Sequence, residues 1–212
     1  MPTKMPVRLR SSHVFRALAC LILALLIRIP GASAAQDLPP VLRQMLDGAH
    51  AQAGVTVRYD PAYERIPFPG GDVPIERGVC TDVVVRAYRS AGIDLQLLVN
   101  QDMRNAFHLY PRNWGLWKPD PNIDHRRVLN LAVFFTRHGQ SLPVSAEGRD
   151  YSPGDIVAWK LPDGRPHMGI VSDKMQGGRP LIVHNIGQGA QVEDVLFGFT
   201  ITGHYRYLPG TR

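Results

Sequence analysis

The sequence predicts an α+β domain, with N-terminal helices packed on a C-terminal antiparallel sheet. Between residues 38 and 138, apolar side chains recur at helical spacing in several segments. After the turn-rich stretch Asp150-Tyr151-Ser152-Pro153-Gly154-Asp155, the chain changes to short β-branched and aromatic runs separated by turn residues. Helices gathered first and strands gathered later point to α+β rather than to alternating βαβ units.

Before the first helix comes a segment of a different kind. Basic Lys4, Arg8, Arg10 and Arg16 precede an apolar run from Ala17 to Ile27, which is followed by small Ala32-Ser33-Ala34. This is the three-part layout of a secretory signal, with cleavage expected after Ala34. Arg28 and Pro30 end the apolar run before it reaches membrane-spanning length. Cys20 sits early in that run with Ala17 three residues before it, where a lipobox wants leucine. The expected organisation is a signal peptide over 1–34 and one domain over 35–212, exported to the periplasm or secreted from a bacterial cell, with no integral membrane segment after cleavage. Residues 1–34 hold five basic residues and no acid, so removing them takes Lys+Arg from 24 to 19 against 18 Asp+Glu, a net charge of about +1. The basic character therefore belongs to the export segment, and nucleic acid is not an expected partner.

Leu42, Met45, Leu46, Ala49 and Ala53 predict an amphipathic helix over 38–53, stopped by Gly54. Val55 to Tyr59 reads as a short strand, and Pro61, Pro67, Pro69, Gly70, Gly71 and Pro74 mark an irregular stretch. Val83, Val84, Ala87 and Ala91 give a helix over 81–91, with Cys80 at its N-terminus. Leu95 to Phe107 reads as helical, Tyr110 to Asp124 as a loop, and Asp124 as the cap of a helix over 125–138 carrying Val128, Leu131, Ala132 and Phe135. Strands are expected over 156–161, 167–173, 181–186 and 201–208, with hairpin turns at Pro162-Asp163-Gly164 and Gln176-Gly177-Gly178.

The exported chain keeps one cysteine, Cys80, which excludes an internal disulfide and leaves a thiol that is either buried or reactive. A helix N-terminus favours thiolate through its unpaired N–H groups, which makes Cys80 the candidate nucleophile. His167 opens a strand directly after a tight turn, where its imidazole can take the thiol proton and later protonate a leaving amine. A third group must orient that imidazole. His184 and Asn185 fall on opposite faces of the next strand, so one of them serves, and His184 is preferred.

At these residues the chain resembles known families. "GVCTDVVVRAYRSAGIDL" is similar to the cysteine-bearing helix of NlpC/P60-type cysteine peptidases, and "SPGDIVAW", "HMGIVSD" and "LIVHNIG" resemble the strands that carry their histidine and third polar residue. More closely, Pro69-Gly70-Gly71-Asp72-Val73-Pro74, Gly78-Val79-Cys80-Thr81-Asp82, Asn122-Ile123-Asp124-His125-Arg126-Arg127 and His184-Asn185-Ile186-Gly187 resemble DUF1287, a family of exported bacterial proteins. The broader resemblance implies a papain-like core and hydrolysis of amide bonds in cell-wall peptides, with Cys80 as nucleophile, His167 as base and His184 as orienting residue. The chain reads Val79-Cys80-Thr81-Asp82 where NlpC/P60 enzymes usually read Asp-Cys-Ser-Gly, and it has Phe68 near where they carry a tyrosine. Oxyanion support then falls to backbone N–H groups near Cys80, or to Tyr59 or Tyr63.

The segment "NIDHRR" crowds Asp124, His125, Arg126 and Arg127 at a helix start, where cations are not favoured. Either Arg126 or Arg127 binds a substrate carboxylate, with Asp82, Asp124, His125 and Asn185 as further substrate-site candidates, or the arginines pair with acids such as Asp82 or Asp120 to dock the segment. Trp114 and Trp117 either line a groove or close the core. Zinc held by Cys80, His167 and His184 is disfavoured because the paired close spacings of structural zinc sites are missing. Neither metal nor cofactor is expected. The expected function is an exported, monomeric thiol hydrolase acting on peptidoglycan or peptide; the alternatives are an inactive cell-wall or peptide-binding module of the same fold and a thiol acyltransferase.

Overall fold

The first helix in the computed structural model, α1 (Pro40–His50), buries Leu42, Met45, Leu46 and Ala49. Thr3 and residues 38–209 are described, so the signal expected over 1–34 lies outside the described residues except for Thr3. The apolar rhythm runs on to Ala53, but the helix ends sooner. Gln52 and Ala53 N–H groups bond three residues back, to Ala49 and His50, and this tighter turning delivers the chain to Gly54 at φ +77. The expected strand over 55–59 shrinks to β1 (Arg58–Tyr59), which pairs in parallel with β2 (Arg77–Gly78).

The loop between β1 and β2 is rich in Pro and Gly, and it closes around one guanidinium. Arg86 of α2 (Cys80–Ser90) bonds both carboxylate oxygens of Asp72 at 2.9 and 3.1 Å, the carbonyls of Val73 (3.1 Å) and Arg77 (2.9 Å), and the Thr56 hydroxyl (3.0 Å). Such saturation is what a buried guanidinium requires. Helix α2 is buried from Cys80 to Tyr88, lying between α1 and the sheet.

Asp94 caps α3 (Leu95–Ala106) by accepting from the Gln96 and Leu97 N–H groups. The helix expected over 125–138 is a single 3-10 turn, Asp124–Arg126, followed by α4 (Val128–His138). Asp124 is not its cap: the side chain turns back to the Asp120 N–H at 2.5 Å, and Asn130 Nδ2 donates to the Asp124 carbonyl.

The remaining strands are β3 (Gln140–Ser141), β4 (Ile156–Lys160), β5 (Pro166–Gln176), β6 (Arg179–Asn185), β7 (Ala190–Glu193) and β8 (Thr200–Arg206). They form one antiparallel sheet of six strands in the order β3-β8-β4-β5-β6-β7. Alternation divides its residues between two faces. Ile156, Ala158, Met168, Ile170 and Val183 join the helices in the main core, while Trp159, Val171, Ile182 and Leu196 form a second cluster behind the sheet. Fully buried apolar side chains of this kind contribute about 1.5–3 kcal/mol each. Among the described residues, no helix is long and apolar enough to cross a membrane. The domain is α+β, with helices covering one face of the antiparallel sheet.

Candidate active site

Where α2 begins, its first side chain meets the start of β5. Cys80, 3 % exposed, and His167, 2 % exposed, line one cleft of about 430 Å³ together with Tyr59, Trp114, Arg127 and Arg165. The backbone N–H groups of Met168, Thr81 and Cys80 itself lie near enough to the Cys80 sulfur to favour its charged form. Met168 faces the helices, so His167 falls by alternation on the opposite face, beside Trp159 (ring centroids 5.7 Å apart), and reaches the cleft at the strand's end.

The thiol differs from the expectation based on helix position alone. Burial pushes Cys80 up to about 12 and Asp82 adds to the rise, while the three N–H groups oppose it. Asp82 sits in the first turn with Oδ2 accepting from the Val79 N–H at 2.6 Å, so a negative charge offsets the helix-end potential beside the sulfur. Burial, followed by His184 and Arg165, lowers His167 to about 3. Both groups are therefore neutral in the resting site: the cleft they line holds a thiol and an imidazole, not a thiolate–imidazolium pair.

His167 Nε2 lies 2.8 Å from His184 Nδ1, and His184 Nε2 lies 2.9 Å from Glu193 Oε2. Strand pairing produces this chain of contacts. Gly169 stands across from His184, where a Cβ would come within 2.7 Å of Ile182 Cγ2 and 3.1 Å of His184 Cβ, so glycine leaves room for His184 to approach His167 diagonally. Glu193 pairs with Ile182, on the same face as His184. With Nε2 engaged by His184, Nδ1 is the nitrogen of His167 left to act on the cleft. Asn185 points the other way: its Nδ2 donates to the Gly78 carbonyl at 3.0 Å and anchors the peptide leading into Cys80.

Of the substrate-site candidates, Arg126 and Arg127 line the cleft; Asp82, Asp124, His125 and Asn185 do not. The reason is burial with internal partners. Asp82 binds Arg126 through Nε (2.8 Å) and Nη2 (3.0 Å), with the two side chains 3 % and 2 % exposed. Arg126 also donates to the carbonyls of Ala62 and Asp60, and the Thr81 hydroxyl donates to the Arg126 carbonyl at 2.7 Å. Arg126 is thus a structural clamp between "NIDHRR" and the first turn of α2. Burial raises Asp124 to about 6, where it accepts from Arg127 at 3.1 Å, and lowers His125, whose Nδ1 has no partner, to about 3.

Arg127 keeps donors for the cleft: its guanidinium carbon stands 4.1 Å over the Trp114 ring. Trp114 and Trp117 close no core, being 39 % and 92 % exposed. Burial raises Tyr59 to about 12, and the nearby Cys80 adds to that rise, which puts its hydroxyl in the electrostatic range of the sulfur. Tyr63 also lines the cleft, but its hydroxyl is bonded to Asp120 and Asn122, and Phe68 lies outside the cleft lining. Among the described residues, no group of three His, Cys, Asp or Glu side chains is placed to hold a metal ion. Two participants escaped the sequence reading. Glu193 ends the four-residue alternation Ala190-Gln191-Val192-Glu193 after a glycine-rich turn, and Arg165 ends the turn before His167.

Fold and site together define an α+β domain in which a buried cysteine and a histidine line one cleft, with a second histidine bonded behind the first. The chain belongs to the DUF1287 family, described as a domain of unknown function, whose model matches residues 46–207. It is similar to "Uncharacterized protein YijF" of Escherichia coli (strain K12), with 56 % identity over 162 residues, covering 76 % of this chain and 79 % of that protein.

Proposed function

We propose that the domain is an exported, papain-like thiol hydrolase of the NlpC/P60 type that cleaves amide bonds in peptidoglycan stem peptides. One observation carries the reading: the 2.8 Å contact by which His184 Nδ1 engages Nε2 of His167, the histidine that lines the same cleft as Cys80. On this reading His167 Nδ1 takes the thiol proton as the sulfur attacks the scissile carbonyl. The oxyanion is met by the N–H groups at the start of α2 and by the Tyr59 hydroxyl. His167 then gives its proton to the departing amine, and water attacks the thioester and releases the acid. Because the resting groups are neutral, proton transfer accompanies attack. Displacement of water by the bound substrate strengthens that coupling.

The cleft wall carries Arg126, Arg127 and Arg165 and no carboxylate, which favours a substrate with negative charge, as stem peptides have. Arg126 is committed to Asp82, so Arg127 is the better-placed contact for a substrate carboxylate. One observation favours a second reading, a non-catalytic peptide-binding module: the burial that holds the thiol at about 12. Incubating the protein and its Cys80→Ala variant with purified peptidoglycan and with stem peptides, followed by mass spectrometry of the products, separates the two. Products from the wild type alone support the hydrolase; retention of peptide without Cys80-dependent product supports the binding module.

A further inference from the structure

We propose that Glu193 is a positioning residue that selects the tautomer of His167 through His184, so that His167 presents a bare Nδ1 to the cleft. The contacts admit two self-consistent proton patterns. In the first, His184 Nε2–H donates to Glu193 Oε2, His184 Nδ1 is bare and accepts from His167 Nε2–H, and His167 Nδ1 carries a lone pair. In the second, every hydrogen is reversed: His167 Nδ1 is protonated, its Nε2 accepts from His184 Nδ1–H, and a bare His184 Nε2 faces Glu193.

The last contact decides between them. A carboxylate accepts and has no hydrogen to give, so a bare nitrogen 2.9 Å from it sets two lone pairs against each other. Only the first pattern satisfies all three groups. A single choice at Glu193 therefore passes through two imidazoles and fixes which nitrogen of His167 can receive a proton.

The surroundings leave the choice to Glu193. The Trp159 indole N–H is used on the Leu196 carbonyl at 2.9 Å, and the Asn185 amide bonds Gly78 on the other face. Burial lowers both histidines, keeping each imidazole neutral and so obliged to have one bare nitrogen. The Glu193 side chain is 44 % exposed and sits on a four-residue strand, so its removal need not unfold the domain.

The catalytic consequence rests on the hydrolase reading above, but the tautomer does not. Long-range ¹H–¹⁵N NMR of the ¹⁵N-labelled protein at neutral pH is expected to show His167 protonated at Nε2 alone. Glu193→Ala is expected to populate the Nδ1–H form of His167, and Glu193→Asp to restore the wild-type pattern. Should the alanine variant fail to fold, Glu193→Gln gives the same readout, since its amide can donate and so admits the reversed pattern. With a turnover assay in hand, kcat of Glu193→Ala is expected to fall on the order of ten-fold or more, and by no more than the roughly 10²–10⁴ that a general base supplies, at little change in KM. A wild-type His167 protonated at Nδ1, or alanine and glutamine variants that keep the pure Nε2–H pattern, overturns the proposal. If the protein shows no Cys80-dependent product at all, the hydrolase reading fails while the NMR result still decides the role of Glu193.

Discussion

Replacing Arg126 by alanine separates a clamp from a substrate contact. Arg126 and Asp82 are 2 % and 3 % exposed and share two charge-assisted bonds of 2.8 and 3.0 Å. The variant leaves the Asp82 carboxylate buried with only the Val79 N–H, at 2.6 Å, to compensate it. Breaking a buried pair by removing one partner costs about 3–5 kcal/mol. For a domain of this size each kcal/mol shifts Tm by about 2–4 °C, so thermal unfolding followed by circular dichroism should show a fall of about 6–20 °C. Replacing both residues by apolar ones of similar volume should recover a large part of that loss, because no lone charge remains buried. An Arg126→Ala protein that melts within about 2 °C of wild type and loses only peptide binding refutes the assignment of Arg126 to the scaffold.

Arg127→Ala should differ: its guanidinium stands over Trp114 at the cleft, so KM for an anionic peptide should rise about ten-fold, while Tm should fall less than in Arg126→Ala because Arg127 gives Asp124 a single bond from a more exposed side chain; an unchanged KM removes Arg127 from the substrate contacts. Stability should fall with acid. His167 and His125 drop from 6.5 to about 3 on folding and His184 is also lowered, so below about 6.5 the unfolded chain takes up protons that the folded one refuses. Each such proton tilts the balance by about 1.4 kcal/mol per pH unit until the folded pKa is reached, with Asp124, raised to about 6, opposing; urea unfolding that is flat across this window contradicts the burial of the histidines. Free Cys80 should label slowly with an apparent pKa above that of an ordinary thiol, about 8.5; a labelling midpoint below that value would reveal a preformed thiolate and contradict the neutral resting site.

Much of this architecture was legible in the chain because its periodicities are strong. Val83, Val84 and Ala87 mark α2, and the turns Pro162-Asp163-Gly164 and Gln176-Gly177-Gly178 bound β5. Alternation put His184 and Asn185 on opposite faces, so that only one could serve, and the two side chains do point to opposite faces; alternation did not say which of the two reaches His167. What stayed hidden depended on three-dimensional closure. β7 is only four residues long and β3 only two, too short for a periodic signal, so Glu193 could not be placed beside His184. Helix position suggested an acidic thiol, but its depth under β5 and the charge of Asp82 reverse that direction. In "NIDHRR" the concentration of charge was visible, whereas the division of labour between Arg126 and Arg127 was not. That division depends on Asp82, 44 residues away in sequence, reaching the first of them and Trp114 lying under the second.

The central claim, that Cys80 is a nucleophile served by His167, is tested most directly by trapping the acyl intermediate. The protein is mixed with stem peptides, quenched in acid and digested, and the Cys80-bearing fragment is weighed by mass spectrometry. The expected result is a hydroxylamine-labile acyl addition on Cys80 in the wild type, none in Cys80→Ala, and strongly reduced formation in His167→Ala. Cleaved peptide from the Cys80→Ala protein contradicts the account, as does turnover by the wild type that proceeds without an adduct on Cys80.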